Sequence, residues 1–428
     1  MESSLSDECS KRYYSSSSFI CVCNSTYCNF DGDLLPFGEN EVRVVKSSQE
    51  EFRNYQQVLP RQDGHINASD VDTIVRVNTT IRRQAIFGFG GAVTDSAAIN
   101  IKYLSEEAQD NLIKMHFGSQ GSRYNIIRIN IAACDFSVRG YSYDDVEGDV
   151  DLVYFNLTEE DYNYKIPVIK EAIDLSPEEI YIFGSPWSPP AWMKTNGQID
   201  GQGKLLKEMW QPYANYLVKF FQMYEDQLGI LSDPNANKYV HGTAVHWYDD
   251  DVLGSESLDN VHDMDPTKFI LYSEACTGSH LGGVVLGAWD RGEQYVCDIM
   301  EDTNHWATGW VDWNIVLDTE GGPNWINNYV DAPVIVNATA DEFYIQPLYY
   351  ALSLFSRNVP RGSVHIFSDV DNDNLKTTAF INPDGEVVLI VANFSDEEHT
   401  LGVVNEDGVY VFKYTINART WLALTYKI

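Results

Sequence analysis

A set of side chains able to do chemistry recurs at the ends of β-type runs in this chain. They are Asp95, then Arg128 and Asp135, Trp187, His246 and Tyr248, Glu274, and finally Asp312, Trp313 and Asn314. Each taken singly has an ordinary structural use, Arg128 or Asp135 in an ion pair and His246 as a hydrogen-bonded core histidine. Gathered at one edge they supply a carboxylate for covalent catalysis, aromatic faces for sugar stacking, and Arg, His and Asn for hydroxyl groups. That is the equipment of glycoside hydrolysis. Metal ligation fits less well, because no His-x-x-x-His or comparable spacing occurs. The run Gly88-Phe89-Gly90-Gly91-Ala92 is like a dinucleotide fingerprint but fails as one. Its third glycine is misplaced, and no acidic residue closes a second strand about 20 residues on. A tight turn at a strand end, with Thr94 and Asp95 entering a helix, is the better reading.

The elements that must position these residues are strands alternating with amphipathic helices, a pattern that calls for a parallel sheet or barrel. The strand-like runs are Ala85-Ile86-Phe87-Gly88-Phe89, Asn125-Ile126-Ile127-Arg128-Ile129-Asn130-Ile131, Ile180-Tyr181-Ile182-Phe183, Gly242-Thr243-Ala244-Val245-His246-Trp247, Phe269-Ile270-Leu271-Tyr272 and Trp306-Ala307-Thr308-Gly309-Trp310-Val311. Barrel enzymes assemble their sites at the C-terminal ends of the strands, where the polar residues above fall. A closed (β/α)8 barrel needs about eight strands, two more than these runs supply. A long helix over residues 204–227 is followed almost at once by Asp233-Pro234-Asn235-Ala236-Asn237, which leaves no room for two further βα units. At the two ends, Glu41-Val42-Arg43-Val44-Val45, Thr73-Ile74-Val75-Arg76-Val77, Glu386-Val387-Val388-Leu389-Ile390-Val391 and Gly408-Val409-Tyr410-Val411-Phe412 read as strands of one β-sandwich. Asn382-Pro383-Asp384-Gly385 reads as a hairpin turn.

Length and composition bound the possibilities. A chain of 428 residues calls for two or three domains, or one large barrel with an accessory. With 44% hydrophobic and 21% charged residues it is globular rather than disordered. A formal charge of −34 excludes nucleic acid as a partner, and its self-repulsion would relax on protonation in an acidic compartment. No apolar run is long enough to cross a membrane, and the first eight residues contain no signal peptide. Four cysteines, Cys9, Cys21, Cys23 and Cys28, crowd the N-terminal segment as a disulfide staple would, with a four-thiolate zinc knuckle as the rival. Sequons at Asn24, Asn67, Asn78, Asn156, Asn337 and Asn393 favour glycosylation on the secretory route.

Several motifs then point to one family. Cys21-Val22-Cys23-Asn24-Ser25-Thr26-Tyr27-Cys28, Gly88-Phe89-Gly90-Gly91-Ala92-Val93-Thr94-Asp95, Tyr124-Asn125-Ile126-Ile127-Arg128 and Cys134-Asp135-Phe136-Ser137 come first. Ser185-Pro186-Trp187-Ser188-Pro189-Pro190-Ala191-Trp192, His241-Gly242-Thr243-Ala244-Val245-His246-Trp247-Tyr248, Ser273-Glu274-Ala275-Cys276 and Gly321-Gly322-Pro323-Asn324-Trp325 follow in order. In this series the chain resembles the lysosomal glucosylceramidase family of retaining glycoside hydrolases. The resemblance implies a TIM-type barrel lacking strands four and five (85–314 with 347–362), a β-sandwich from both chain ends (33–84 with 363–428), and a small disulfide-linked sheet (1–32 with 315–346). It implies Glu274 as the nucleophile, Arg128 as its orienting partner, and Asp135, Trp187, Trp313, Asn328, His246 and Tyr248 around the glucose. It pairs Cys9 with Cys21 and Cys23 with Cys28, leaves Cys134 and Cys276 as buried thiols, and needs no metal or organic cofactor. Its substrate is glucosylceramide or a related β-glucoside, met in the lysosome or outside the cell at an anionic lipid surface with a saposin-type activator. A member acting on a plant-wall polysaccharide is disfavoured by the N-terminal cysteine motif.

One departure matters. The family's acid/base glutamate lies in an Asn-Glu-Pro motif on the fourth strand, and this chain has none. Its Asn-Glu pairs, Asn40-Glu41 and Asn405-Glu406, fall in the sandwich segments. The missing segment is expected between about Gly229 and Asp233, a loss of order 70 residues at about 30 per βα unit. An inactive glycolipid-binding or partner-binding member is the alternative function.

Overall fold

The computed structural model describes residues 9–62, 66–228, 242–279 and 282–428; Gly229, residues 233–237 and His241, named above, lie outside them. Strands β1 (Lys11–Tyr13) and β2 (Phe19–Asn24) begin a small sheet, and β3 (Glu41–Ser48), β4 (Tyr55–Pro60) and β5 (Thr73–Ala85) enter a large one. The barrel segment follows as β6 (Gly88–Ala92), α1 (Asp95–Lys102), α2 (Glu106–Phe117), β7 (Ile126–Ile131), α3 (Ile166–Leu175), β8 (Tyr181–Pro186) and α4 (Trp210–Leu228). It continues as β9 (Gly242–His246), α5 (Asp250–Leu253), α6 (Glu256–Met264), β10 (Phe269–Glu274), α7 (Trp289–Asn304) and β11 (Ala307–Asn314). Next come β12 (Val316–Asp318), β13 (Val334–Asn337), β14 (Glu342–Ile345) and α8 (Pro347–Asn358). The chain ends on β15 (Val364–Val370), β16 (Leu375–Ile381), β17 (Val387–Asn393), β18 (His399–Val404), β19 (Tyr410–Ile416) and β20 (Thr420–Tyr426).

Both chain ends share the large sheet, whose order is β19-β18-β5-β15-β16-β17-β20-β3-β4. Its strand β17 is apolar from Val387 to Ala392 because both of its faces are covered. In β17, Val387, Leu389 and Val391 enter the core between the sandwich layers, while Val388, Ile390 and Ala392 face the barrel core. Trp421 of β20 stacks on Trp289 of α7, with centroids 3.8 Å apart, and fastens the two units. The Asn382–Gly385 turn joins β16 to β17, as its residues led one to expect. The small sheet has the order β1-β2-β14-β13-β12, so it too is built from distant segments.

The six barrel strands form one parallel sheet in the order β8-β7-β6-β11-β10-β9. Among the described residues, β8 and β9 are its two edges and do not pair with each other, so their sheet stands open on that side. Exposure follows: β7, between two neighbours, is buried along its length, whereas β8 is half-buried and β9 is largely exposed. The glycine run is a strand, β6, rather than the turn after one. A Cβ at Gly90 would stand 1.9 Å from the Ile126 carbonyl oxygen, so glycine is what lets β6 and β7 approach. Thr94 does cap the next helix, accepting a hydrogen bond from Ala97 N at 3.1 Å.

Candidate active site

Strand alternation assembles the interior layer by layer. Ile126, Leu271 and Val311, with Phe87, Phe183 and Phe269, plug the lower barrel, while Ile127, Ile129 and Ile131 turn outward to the helices. Arg128, two residues above Ile126, therefore points inward above an apolar floor. Glu274 needs more than alternation. Ile270 and Tyr272 of β10 face the outer core, and strict period two would send Glu274 outward with them. The β9 pairing slips between Tyr272 and Glu274, where the next residue of β9, His246, is reached only after two steps along β10. This bulge re-aims the carboxylate to the interior.

Glu274 is 8% exposed and is held from three sides. Arg128 Nη1 pairs with its Oε2, Tyr248 Oη donates to its Oε1 at 2.8 Å, and His246 Nδ1 stands 3.7 Å from Oε1. Arg128 is itself fixed, donating to the Ser273 carbonyl at 3.1 Å and to Ser185 Oγ at 3.2 Å. Burial lowers the His246 pKa, with Arg128 adding to the effect and Glu274 opposing it, so the neutral imidazole is favoured. Tyr248 Oη also lies 3.3 Å from the buried thiol of Cys276.

Asp135 lies on the loop after β7. Its Oδ2 accepts from Asn328 Nδ2 at 3.1 Å, and its Oδ1 is buried without a partner, as a group awaiting a hydroxyl would be. Burial raises its pKa, against the lowering effect of the Asn328 bond, and the nearby Glu274 charge adds to the rise.

The two tryptophans do not flank an open slot. Trp187, 38% exposed, stacks on Trp313, 3% exposed, with centroids 4.9 Å apart and planes 10° from parallel. A sugar between two faces needs roughly 7–8 Å, twice a contact of about 3.5–4.0 Å, so no ring fits between them. The Arg128 guanidinium covers both indoles, 5.0 and 4.9 Å from their centroids. Only Trp187 has a face left for a sugar. It follows the edge strand β8, where no further strand holds it away from Trp313.

Other supports lay beyond the reach of motif reading. Lys165, on a π-helical turn ahead of α3, places its ammonium 2.9 Å from Asp95 Oδ1 and 3.0 Å from Asp161 Oδ1, all three side chains fully buried. Burial works against its charge, but Asp161 and Asp95 outweigh it and hold the pKa above the usual range. Asp95 Oδ2 also accepts from Ser137 at 2.6 Å and Tyr141 at 2.8 Å, pinning the loop that carries Asp135. Nothing local marks Lys165 for this use. Ser185 stood within a quoted motif, but its contact with Arg128 needs the β7–β8 register.

Cys9 is bonded to Cys21 and Cys23 to Cys28, which removes the thiolates a zinc knuckle would need. Cys134 and Cys276 are buried free thiols. Of the sequon asparagines, Asn67 and Asn156 are exposed and Asn24, Asn78 and Asn337 half-buried. Asn393 is buried, its Nδ2 donating to the Glu397 and Asn417 carbonyls. No described helix is long and apolar enough to cross a membrane.

An incomplete parallel barrel, a sandwich sharing both chain ends and a carboxylate bedded between Arg and Tyr at the strand ends define a class, and the chain belongs to glycosyl hydrolase family 30. Residues 86–230 and 227–359 match the family's TIM-barrel domain in two pieces meeting at 227–230, and residues 362–423 match its beta sandwich domain. Lysosomal acid glucosylceramidase of Mus musculus is 35% identical over 478 residues, covering 93% of this chain and 92% of that protein. Putative glucosylceramidase 3 of Caenorhabditis elegans is 36% identical over 448 residues, covering 87% and 85%. Both alignments are longer than the 428 residues of this chain, so the relatives carry residues it lacks. Among solved structures, SrfJ from Salmonella typhimurium shares the fold at a TM-score of 0.82 and 23% identity, over 91% of this chain and 100% of that one.

Proposed function

We propose that this chain is a glucosylceramidase-type retaining hydrolase that keeps the nucleophilic half of its chemistry and lacks the proton-transfer half. The observation that carries this reading is the seat of Glu274 between Arg128, Tyr248 and His246, beside an open barrel wall. A Glu274 oxygen would bond to the anomeric carbon as the bond from that carbon to the aglycone oxygen breaks, and water would later cleave the glucosyl ester. Asp135 with Asn328, and the free face of Trp187, would receive the sugar. The substrate is glucosylceramide or a related β-glucoside in sphingolipid catabolism. Meeting it would follow the secretory or lysosomal route, at an anionic lipid surface with a saposin-type activator, as likeness to the glucosylceramidases supports. Without the general acid, hydrolysis of glucosylceramide should fall by about 10²–10⁴-fold, because the ceramide alkoxide is a poor leaving group. A second reading, a catalytically inactive glycolipid-binding or partner-binding member, is favoured by the absence of Asn-Glu-Pro.

The test offers glucosylceramide and an activated aryl β-glucoside to the purified chain and to Glu274→Gln, with and without azide. Slow release from the aryl glucoside, accelerated by azide and lost in the variant, supports the reading. Robust turnover of glucosylceramide that vanishes in the variant would mean another carboxylate replaces the acid. No reaction with either substrate favours the binding reading.

A further inference from the structure

On the outer side of the sheet, three carboxylates converge where the first residue of α5 approaches α7. Asp298 and Asp302 are four residues apart on α7, so one helix face presents both, and Asp250 is the first residue of α5. One carboxylate oxygen from each lies within 4.8 Å of the others. Trp310 Nε1 donates to Asp298 Oδ2 at 2.8 Å, and Tyr272 Oη donates to Asp250 Oδ1 at 3.1 Å. Asp302 is 2% exposed; Tyr272 and Asp298 hydrogen-bond to its carboxyl group, while its Oδ2 is buried without a hydrogen-bond partner. The charged groups acting most strongly on Asp298 and Asp302 are other carboxylates. Among the described residues, no Lys, Arg or His forms an ion pair with either. A buried oxygen with no donor, set among other carboxyl groups, carries a cost that a bound metal ion would remove.

We propose that Asp250, Asp298 and Asp302 form a divalent-cation site of the calcium class. All-oxygen donors select a hard ion over zinc or copper. Calcium tolerates an irregular shell of about six to eight oxygens, whereas magnesium demands a near-ideal octahedron and gives up its water reluctantly, so three carboxylates brought together from two separate helices suit calcium better. Water completes the coordination. The position has a use in this fold: α5 follows the edge strand β9, while α7 packs on β11 inside the sheet. An ion held between them fastens the free edge of the open barrel to its interior.

The test uses the full chain, stripped with EDTA and held at pH 7 in about 0.1 M KCl to screen its general negative charge. Calorimetric titration with CaCl2 should show one saturable site with a Kd of roughly 10⁻⁴–10⁻³ M, the weak end of protein calcium sites, and MgCl2 should bind about tenfold more weakly. Asp298→Asn with Asp302→Asn should abolish this binding and the rise in thermal midpoint that accompanies it. Glu106→Gln with Glu107→Gln removes the same charge from the exposed first turn of α2 and should leave both intact. Should the Asn variant fail to fold, TbCl3 on the unaltered chain gives the second reading. Indole-excited terbium luminescence that CaCl2 displaces supports a site beside Trp310. No saturable calcium binding by the unaltered chain, or equal loss in both double variants, overturns the proposal. A chain that gains stability on acidification yet ignores calcium shows three carboxyls sharing protons, and overturns it as well.

Discussion

Replacing Lys165 by Met keeps the length of the side chain and deletes one charge. In the folded chain that charge sits 2.9 Å from Asp95 and 3.0 Å from Asp161, with no solvent reaching any of the three. Two carboxylates would be left buried against each other, and removing one partner from a buried ion pair typically costs about 3–5 kcal/mol. At roughly 2–4 °C per kcal/mol for a domain of this size, the thermal midpoint should fall by about 6–20 °C. Urea unfolding followed by tryptophan fluorescence measures the loss directly. Combining the change with Asp161→Asn should cost less than the sum of the two, leaving a coupling of about 1–3 kcal/mol. The effect should also reach the site, because Asp95 holds Ser137 and Tyr141 on the loop of Asp135. Amide exchange over residues 134–141 should therefore quicken. A loss under about 1 kcal/mol with unchanged exchange would refute the view that this ion network braces the loop.

Burial raises the Asp298 pKa to about 8 and holds Asp302 and Asp312 well above the carboxylate range. The folded chain then keeps protons that the unfolded chain releases, so stability in EDTA should rise as pH falls from about 8 to 6.5, by up to about 1.4 kcal/mol per unit for each such proton. Below that, His116 and His365, lowered by burial to about 4 and about 3, oppose the trend, and a thermal midpoint highest at pH 8 would contradict the assignment. Peptide mapping without reduction should recover Cys9 linked to Cys21 and Cys23 to Cys28; four alkylatable thiols there would remove the staple. Because β8 and β9 end in unpaired edges, the chain should aggregate sooner and unfold at lower temperature than a version with two βα units restored between them. Equal midpoints and cooperativity would show that the open sheet is protected by other means.

Much of the architecture was written in local pattern. The period of two in β7 marked Arg128 and Asn130 as one face and Ile127, Ile129 and Ile131 as the other. The unbroken apolar run of β17 marked a strand covered on both sides, and the crowded cysteines marked a cross-linked segment. The shortage of strands and the lack of Asn-Glu-Pro were also plain, since a missing segment removes its letters along with its structure. These features depend on residues a few positions apart, which the order of letters preserves. The rest depended on partners. Alternation alone would have turned Glu274 outward, and only the slipped pairing of β10 with β9 points it at Arg128. Trp187 and Trp313 stood at the ends of separate strand-like runs, and their collapse onto each other follows from β8 being an edge. Lys165 had no mark of its own until folding enclosed it between Asp95 and Asp161. Asp298 and Asp302 shared a helix face by spacing, but Asp250 joins them only because the fold brings the start of α5 to that face. Spacing along a chain decides which side chains share a face; register and packing decide what that face meets, and the chemistry of this protein lies in those meetings.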